Sequence, residues 1–136
     1  MDSLEDQLIE LISGGYYATI ATVLPDGNPH QTVVHVGYDG EHLLVPTAEG
    51  RRKVKNVRGN PNVSINVMDP DEPHRYVSIA GEVVEITTDG AEELATDLGR
   101  QYGELDEDES FMDGYNGPER VVLRIRPTGY ITHLPE

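Results

Sequence analysis

The stretch that decides the fold is residues 42–68, which read "HLLVPTAEGRRKVKNVRGNPNVSINVM". It starts with a β-rich apolar run and turns at Gly50. Val54 and Val57 then stand three residues apart, which predicts a short helix with one buried edge. Pro61 ends that helix, and "NVSINVM" alternates polar and apolar residues as a half-buried strand does. We therefore expect a strand, a turn, a short helix and a second strand.

The same stretch carries an unusual concentration of positive charge. The chain has 25 Asp and Glu residues against 10 Lys and Arg, a net charge of −15. Five of those ten cations nevertheless lie close together: Arg51, Arg52, Lys53, Lys55 and Arg58. A helix start offers free backbone N–H groups and a favourable dipole to an anion, and cationic side chains complete such a site. This predicts a phosphate site to which Thr47 adds a hydroxyl; the alternative is a solvated helix face whose arginines pair with acids.

Composition excludes several classes of protein. The 136 residues include no cysteine, so disulfides, thiolate nucleophiles and thiolate metal sites are absent. An acidic surface repels nucleic acid and anionic membranes, and no apolar stretch reaches membrane-spanning length. We expect one cytoplasmic domain over residues 1–136 with neither kind of partner. Two lysines against eight arginines suggest a halophilic adaptation, although an ordinary acidic protein is the alternative.

Working outward, the rest of the chain is predicted to be mainly β. A helix is expected within residues 1–14 and another at about 90–102, followed by an acidic loop at 103–118. β-rich runs separated by Asp-Gly turns predict two strands at 17–23 and 31–36. The run "RYVSIAGEVVEIT" predicts a long strand that Gly81 kinks or bulges. Six hairpin-linked strands favour an antiparallel barrel with helices at its ends.

Most other candidates for a chemical site are weak. The five histidines lack the spacing of a metal site, and no serine lies in a nucleophile elbow. The acidic loop places Phe111 where a calcium loop needs glycine, which favours a solvated loop. His35 is kept as a candidate hydrogen-bond donor or proton shuttle; a half-exposed strand residue is the equal alternative.

Taken in order, four segments resemble a known family. They are "ATVLPDGNPHQTVV", "YDGEHLLVPT", "EGRRKVKNVRGNPNVSINVMDPDEPHRYVSIAGEVVEI" and "RVVLRIRP". This string resembles the pyridoxamine-phosphate-oxidase-like split β-barrel superfamily, and in particular its small F420-dependent (deazaflavin) oxidoreductases. The resemblance implies a six-stranded split barrel that forms a homodimer, with FMN or the deazaflavin coenzyme F420 held between the subunits.

The resemblance also implies which residues form the site. The family signature "(Y/F)xTxxGxRK" reads "VPTAEGRRK" here. It implies that the cofactor phosphate is held by Thr47, Arg52 and Lys53, with Gly50 in the same signature and Arg51 and Asn56 as helpers. The strand segment under the cofactor ring corresponds to Gln31, Thr32, Val33, Val34 and His35. The residues expected to reach the cofactor from the partner subunit are Tyr76 and Ser78.

Departures from the family pattern narrow the function. The tyrosine of the family's "YT" pair is Pro46 here. No Arg-x-His pair follows the last strand, which argues against pyridoxal phosphate production. The resemblance implies hydride transfer between the cofactor and a small organic acceptor. The alternatives are a non-catalytic flavin, deazaflavin or haem carrier, and a barrel that has lost its ligand. Lys55 and Arg58 are placed to bind the acidic tail of a deazaflavin, which favours that cofactor over FMN. The alternative is that they lie on the solvated side of the helix.

Overall fold

The fold is one curled antiparallel sheet with helices packed against it. The structure is a computed structural model, and it describes residues 6–133. Its elements in chain order are α1 Asp6–Ile12, β1 Ala18–Val23, β2 Pro29–Val34, β3 Gly37–Tyr38, β4 Leu43–Ala48, α2 Arg52–Gly59, β5 Asn62–Asp69, β6 Glu72–Thr87, α3 Ala91–Gln101 and β7 Arg120–His133. The strand order is β2-β1-β5-β6-β7-β4-β3. None of the helices in this range is long and apolar enough to cross a membrane.

The expected mainly-β split barrel is confirmed, with seven described strands instead of six. The extra strand arises because the second predicted strand, 31–36, is interrupted. The backbone N–H of Val36 donates to the Tyr102 hydroxyl at 3.0 Å, so a side chain takes a donor that would otherwise be available to a neighbouring strand. The chain pairs again only at Gly37–Tyr38. The expected first helix is present over Asp6–Ile12, and residues 1–5 lie outside the described range.

Strict alternation of side chains builds the core on one face of the sheet. In β5, Val63, Ile65 and Val67 are buried, whereas Ser64 and Asn66 are exposed. Neighbouring strands add their own apolar positions to the same face, and α1 and α2 cover it. Burial of such side chains contributes about 1.5–3 kcal/mol each. The hydrophobic pattern thereby fixes the register, since a slip by one residue would expose the whole apolar set.

A close approach of β6 and β7 requires Gly81. The register between the two strands shifts at Ala80/Gly81, which confirms the expected bulge. A Cβ atom at Gly81 would lie 2.6 Å from Ile125 Cγ2 and 3.1 Å from the Arg126 carbonyl oxygen. Any other residue would therefore push the strands apart at this bend.

The opposite face of the sheet carries two rows without charge, which we call the uncharged face. Both rows cross five strands, β2-β1-β5-β6-β7, in register. The first row is Val33, Thr19, Asn66, Ser78 and Ile131. The second row is Gln31, Ala21, Ser64, Ala80 and Gly129. Val33 and Ile131 are 69% and 73% exposed, which is unusual for apolar side chains in a chain that is one-quarter charged.

Candidate functional site

The candidate site is an open groove of about 250 Å³ where β1, β2, β4, α2 and α3 meet the segment before β7. Its lining is Tyr17, Val33, Val34, His35, Pro46, Thr47, Arg51, Lys53, Ala95, Phe111 and Arg120. Apolar strand residues and cationic side chains thus share one cavity. No Asp or Glu is among these lining residues, although acids outnumber bases strongly in the chain.

Three of the lining residues, Arg51, Lys53 and Arg120, form what we call the cationic cluster. Burial lowers the pKa of Lys53, and the positive charges of Arg51 and Arg120 lower it further. The Nε atom of Arg120 is buried without a hydrogen-bond partner, and its guanidinium lies 4.5 Å from the centre of the Phe111 ring. Like charges held together with an unsatisfied donor make a site that an anion would stabilise.

The ion pairs of the chain separate these cations from the rest. Five of the ten basic residues form ion pairs with carboxylates: Arg58, Arg75, Arg100, Arg124 and Arg126. The cationic cluster, Arg52 and Lys55 form no ion pair with any carboxylate of residues 6–133. Acid–base pairing therefore does not explain the positive charge of the groove.

A second group of side chains at the groove is neutral or acidic, and we call it the Tyr–His–Glu cluster. His35 Nε2 lies 2.9 Å from Glu104 Oε2, and the Tyr17 hydroxyl donates to the same oxygen. The imidazole stacks on Tyr102, with ring centres 4.2 Å apart. The hydrogen bond from Tyr17 and then that from His35 lower the pKa of Glu104, and the bond to Glu104 raises the pKa of Tyr17.

The structure gathers part of the predicted set around the groove. The predicted residues on its lining are Val33, Val34, His35, Thr47, Arg51 and Lys53. Those that do not line it within one chain are Gln31, Thr32, Gly50, Arg52, Asn56, Tyr76 and Ser78. Gln31 and Ser78 lie on the uncharged face, and Gly50 supplies the turn before α2 with a φ of 86°. Arg52 is exposed at the first position of α2, between two residues that do line the groove.

Arg58 has a partner elsewhere. Its Nη1 and Nη2 atoms donate to the two carboxylate oxygens of Glu49 at 2.9 and 2.6 Å. This bidentate bond lowers the pKa of Glu49. Arg58 therefore lies on the solvent-exposed side of α2, and Lys55 is also exposed on this helix.

Sequence patterns did not predict that Phe111 and Arg120 line the groove. The acidic loop at 103–118 was expected to be solvated, and its acidic side chains are mostly exposed. Its centre, however, is tied to α3, because the Phe111 N–H donates to Thr96 Oγ1 at 3.0 Å. Arg100 also donates to the carbonyl oxygen of Glu109 at 2.9 Å. These bonds place Phe111 against the groove. The one sequence feature that had singled out Phe111 was its position in the calcium-loop pattern, where that pattern needs glycine.

Asn56 lies inside the protein, away from the groove lining. Its side chain is 3% exposed and donates from Nδ2 to Thr22 Oγ1 at 3.0 Å. The bond joins α2 to β1 in the interior. This position gives Asn56 a structural role that the motif alone did not indicate, since it holds the helix that carries Arg51 and Lys53.

We predict that Asn56→Ala lowers the free energy of unfolding by about 1–3 kcal/mol, because it removes a buried hydrogen bond and leaves Thr22 without its partner. Urea unfolding followed by circular dichroism measures the change. Asn116→Ala, at an exposed loop position, is the matched control and should be nearly neutral. Equal stability of the two variants would show that the Asn56–Thr22 bond does not hold the helix.

Comparisons with known proteins agree with this architecture. A solved structure described as an F420 reductase is 29% identical, covers 94% of this chain and 98% of its own, and superposes with a TM-score of 0.80. A conserved hypothetical protein from Mycobacterium tuberculosis is 24% identical over 99% and 92% of the two chains, with a TM-score of 0.72. HutZ, a haem storage protein from Vibrio cholerae, is 21% identical over 96% and 94%, with a TM-score of 0.68. The last two likenesses show the fold alone.

The family itself is shown by sequence. The family model described as pyridoxamine 5'-phosphate oxidase matches residues 4–133, nearly the whole chain. The match includes every strand of the described sheet and all lining residues of the groove. The chain belongs to the pyridoxamine 5'-phosphate oxidase family.

Proposed function

We propose that this protein is an oxidoreductase that binds a phosphate-bearing flavin or deazaflavin, FMN or coenzyme F420, and transfers hydride between it and a small organic acceptor. The observation that carries the proposal is the cationic cluster, which has no carboxylate partner among the described residues and shares a groove with apolar strand residues. The likeness to a protein described as an F420 reductase supports the redox class.

The residues of the groove fit such a cofactor. Arg51, Lys53 and Arg120 supply charge-assisted donors to a phosphate, and Thr47 adds a buried hydroxyl. The orphaned Nε of Arg120 is a donor that a phosphate oxygen would satisfy. Val33 and Val34 offer an apolar surface against which a flat ring system packs.

The protein's own contribution is binding, orientation and exclusion of water. When bound, a reduced flavin or deazaflavin supplies the hydride chemistry. The cationic cluster anchors the phosphate and so orients the ring, and a fixed orientation towards the acceptor lowers the barrier of such a reaction. Phe111 lines the groove and would shield one side of the bound cofactor from water.

We propose further that two copies of the chain pack through the uncharged face to complete the site. The groove of about 250 Å³ is smaller than the roughly 300–1,000 Å³ of typical small-molecule sites. Val33 belongs both to the groove and to the uncharged face, so a partner seated on that face adjoins the groove. Such packing would bring Gln31, Tyr76 and Ser78, which do not line the groove within one chain, towards the cofactor of the assembly.

The alternative is a carrier that binds the cofactor, or haem, without turnover. HutZ supports no more than the shared fold at 21% identity. Moreover, the histidine on the groove lining, His35, already bonds Glu104 through its Nε2 atom, so that atom is not free to bind a haem iron. A carrier would not reoxidise its bound, reduced cofactor faster when organic acceptors are added, whereas the proposed enzyme would.

For the phosphate site, we predict that Lys53→Ala and Arg120→Ala each weaken binding of FMN or coenzyme F420 by about 10–150-fold, since each removes a charge-assisted hydrogen bond of about 1.5–3 kcal/mol. Fluorescence titration measures the affinity. Lys55→Ala removes the same charge from the exposed side of α2 and should leave it nearly unchanged. Arg52→Ala, titrated alongside, measures whether this exposed guanidinium also contributes. Wild-type affinity in both Lys53→Ala and Arg120→Ala would remove the basis of the proposal.

For the assembly, we predict that the wild type has twice the chain mass of 15.0 kDa in light scattering and that Ala80→Arg converts it to a monomer. The arginine would place a charge, unpaired and desolvated, at the centre of the uncharged face in both copies. Val84→Arg introduces the same charge on an exposed part of β6 outside the two rows, and should stay dimeric. A monomeric wild type, or a dimeric Ala80→Arg variant, would contradict this packing.

A further inference from the structure

Two members of the Tyr–His–Glu cluster, Tyr17 and His35, line the groove, and the cluster takes no part in anchoring a phosphate. Its members come from three separate segments: Tyr17 precedes β1, His35 follows β2, and Tyr102 and Glu104 follow α3. They meet through two hydrogen bonds to one carboxylate oxygen and through ring contacts. A loop residue from 69 positions away is thus held on a histidine that faces the cavity.

The hydrogen bonds of this cluster determine the state of the imidazole. A carboxylate can only accept, so His35 Nε2 must carry a hydrogen when it contacts Glu104 Oε2 at 2.9 Å. The lowered pKa of Glu104, which follows from the Tyr17 and His35 hydrogen bonds, keeps its carboxylate charged at neutral pH. Because Nε2 is engaged by Glu104, Nδ1 is the ring nitrogen that remains for an acceptor.

Stacking fixes the plane of the same ring. Tyr102 lies against His35 with ring centres 4.2 Å apart and planes inclined by 27°. Its hydroxyl accepts the N–H of Val36, the residue next to the histidine, at 3.0 Å. The stacking fixes the plane of the His35 ring, the bond to Glu104 fixes its tautomer, and the Val36 bond fixes the adjacent backbone. A group that must meet a reacting atom needs such a fixed orientation. The His35 side chain is 18% exposed and Glu104 43% exposed, so the carboxylate keeps contact with water.

Resting on the proposed function, we propose that His35 is the proton donor of the reduction and that Glu104 is its positioning residue. In this reaction a polarised double bond of the acceptor takes hydride, with two electrons, at one atom from the reduced coenzyme, which is oxidised. The displaced π pair moves to the other atom of the bond, which takes the Nδ1 proton of the imidazolium form of His35 and leaves a neutral ring with its hydrogen on Nε2. Water then returns a proton to the ring. The acceptors that fit are those that become anionic when hydride is added.

The other ionisable groups facing the groove are poorer donors. Arg51, Lys53 and Arg120 are engaged by the anion in the proposed complex. Tyr17 spends its hydroxyl hydrogen on Glu104, and that bond raises its pKa. Tyr102 has a pKa raised by burial. Among the described lining residues, His35 is the one whose side-chain type is both an acid and a base near neutral pH.

The test compares His35→Gln, Glu104→Gln and the control Glu107→Gln, which makes the same change at an exposed position in the same loop. Turnover with reduced coenzyme is followed between about pH 5 and 9, after coenzyme affinity and thermal unfolding have been measured for each variant. We expect His35→Gln to lower kcat by about 10²–10⁴-fold. We expect Glu104→Gln to lower kcat by about tenfold at neutral pH, because it weakens the hydrogen bond that orients the His35 ring. Glu107→Gln should match the wild type.

A second readout needs no turnover. In ligand-free protein, the Nε2–H proton of His35 should give a resolved downfield NMR signal, protected by its bond to Glu104. That signal should broaden by exchange with water in Glu104→Ala and persist in Glu107→Gln. Persistence in Glu104→Ala would overturn the positioning role of Glu104.

The outcomes separate this inference from the function on which it rests. Turnover and pH profiles that are indifferent to both His35→Gln and Glu104→Gln would overturn the proton-donor role while leaving the reductase intact. If the wild type binds the reduced coenzyme but none of the acceptors oxidises it, the reductase function and the proton-donor role are both overturned.

Discussion

The repulsion among Arg51, Lys53 and Arg120 is the constraint on which the site depends. Three cations share a groove with no acidic lining residue, in a chain whose net charge is −15. Burial first, and then the charges of Arg51 and Arg120, lower the pKa of Lys53. The fold nevertheless maintains this arrangement, because β4 and β7 are paired so that Ala48 lies opposite Arg120, and α2 follows β4 after a short turn. An anion would relieve the repulsion, which is why the groove is read as a binding site.

The sheet that builds the core also builds the two surfaces the function needs. Its buried face holds the apolar residues, so the opposite face is free to carry two uncharged rows across five strands. Val33 lies where that face meets the groove. The same antiparallel pairing therefore places the proposed cofactor site beside the surface through which we propose that two copies pack. The uncharged face and the cationic cluster at its edge both follow from the same strand order.

Local patterns allowed part of this to be predicted from the sequence. The spacing of Val54 and Val57 and the alternation in "NVSINVM" identified α2 and β5. The strand-to-helix junction also predicted that Thr47 and Lys53 lie together, and both line the groove. Arg120 could not be found this way, since only the pairing of β4 with β7 brings it to the groove. Glu104 reaches His35 across 69 positions for the same reason. The seventh strand escaped prediction because Tyr102, a distant side chain, takes the Val36 N–H.

The most direct test of the account is the affinity of each cofactor compared with that of its dephosphorylated form, riboflavin for FMN and the phosphate-free deazaflavin for coenzyme F420. The ring systems are unchanged in each pair. The FMN pair isolates the contact between the phosphate and the cationic cluster, whereas the F420 pair also removes the acidic tail that the phosphate links to the ring. The account predicts that at least one phosphorylated form binds about tenfold or more tightly than its partner, and that Lys53→Ala reduces the difference. Equal affinities within both pairs, or a preference that Lys53→Ala leaves unchanged, would contradict it.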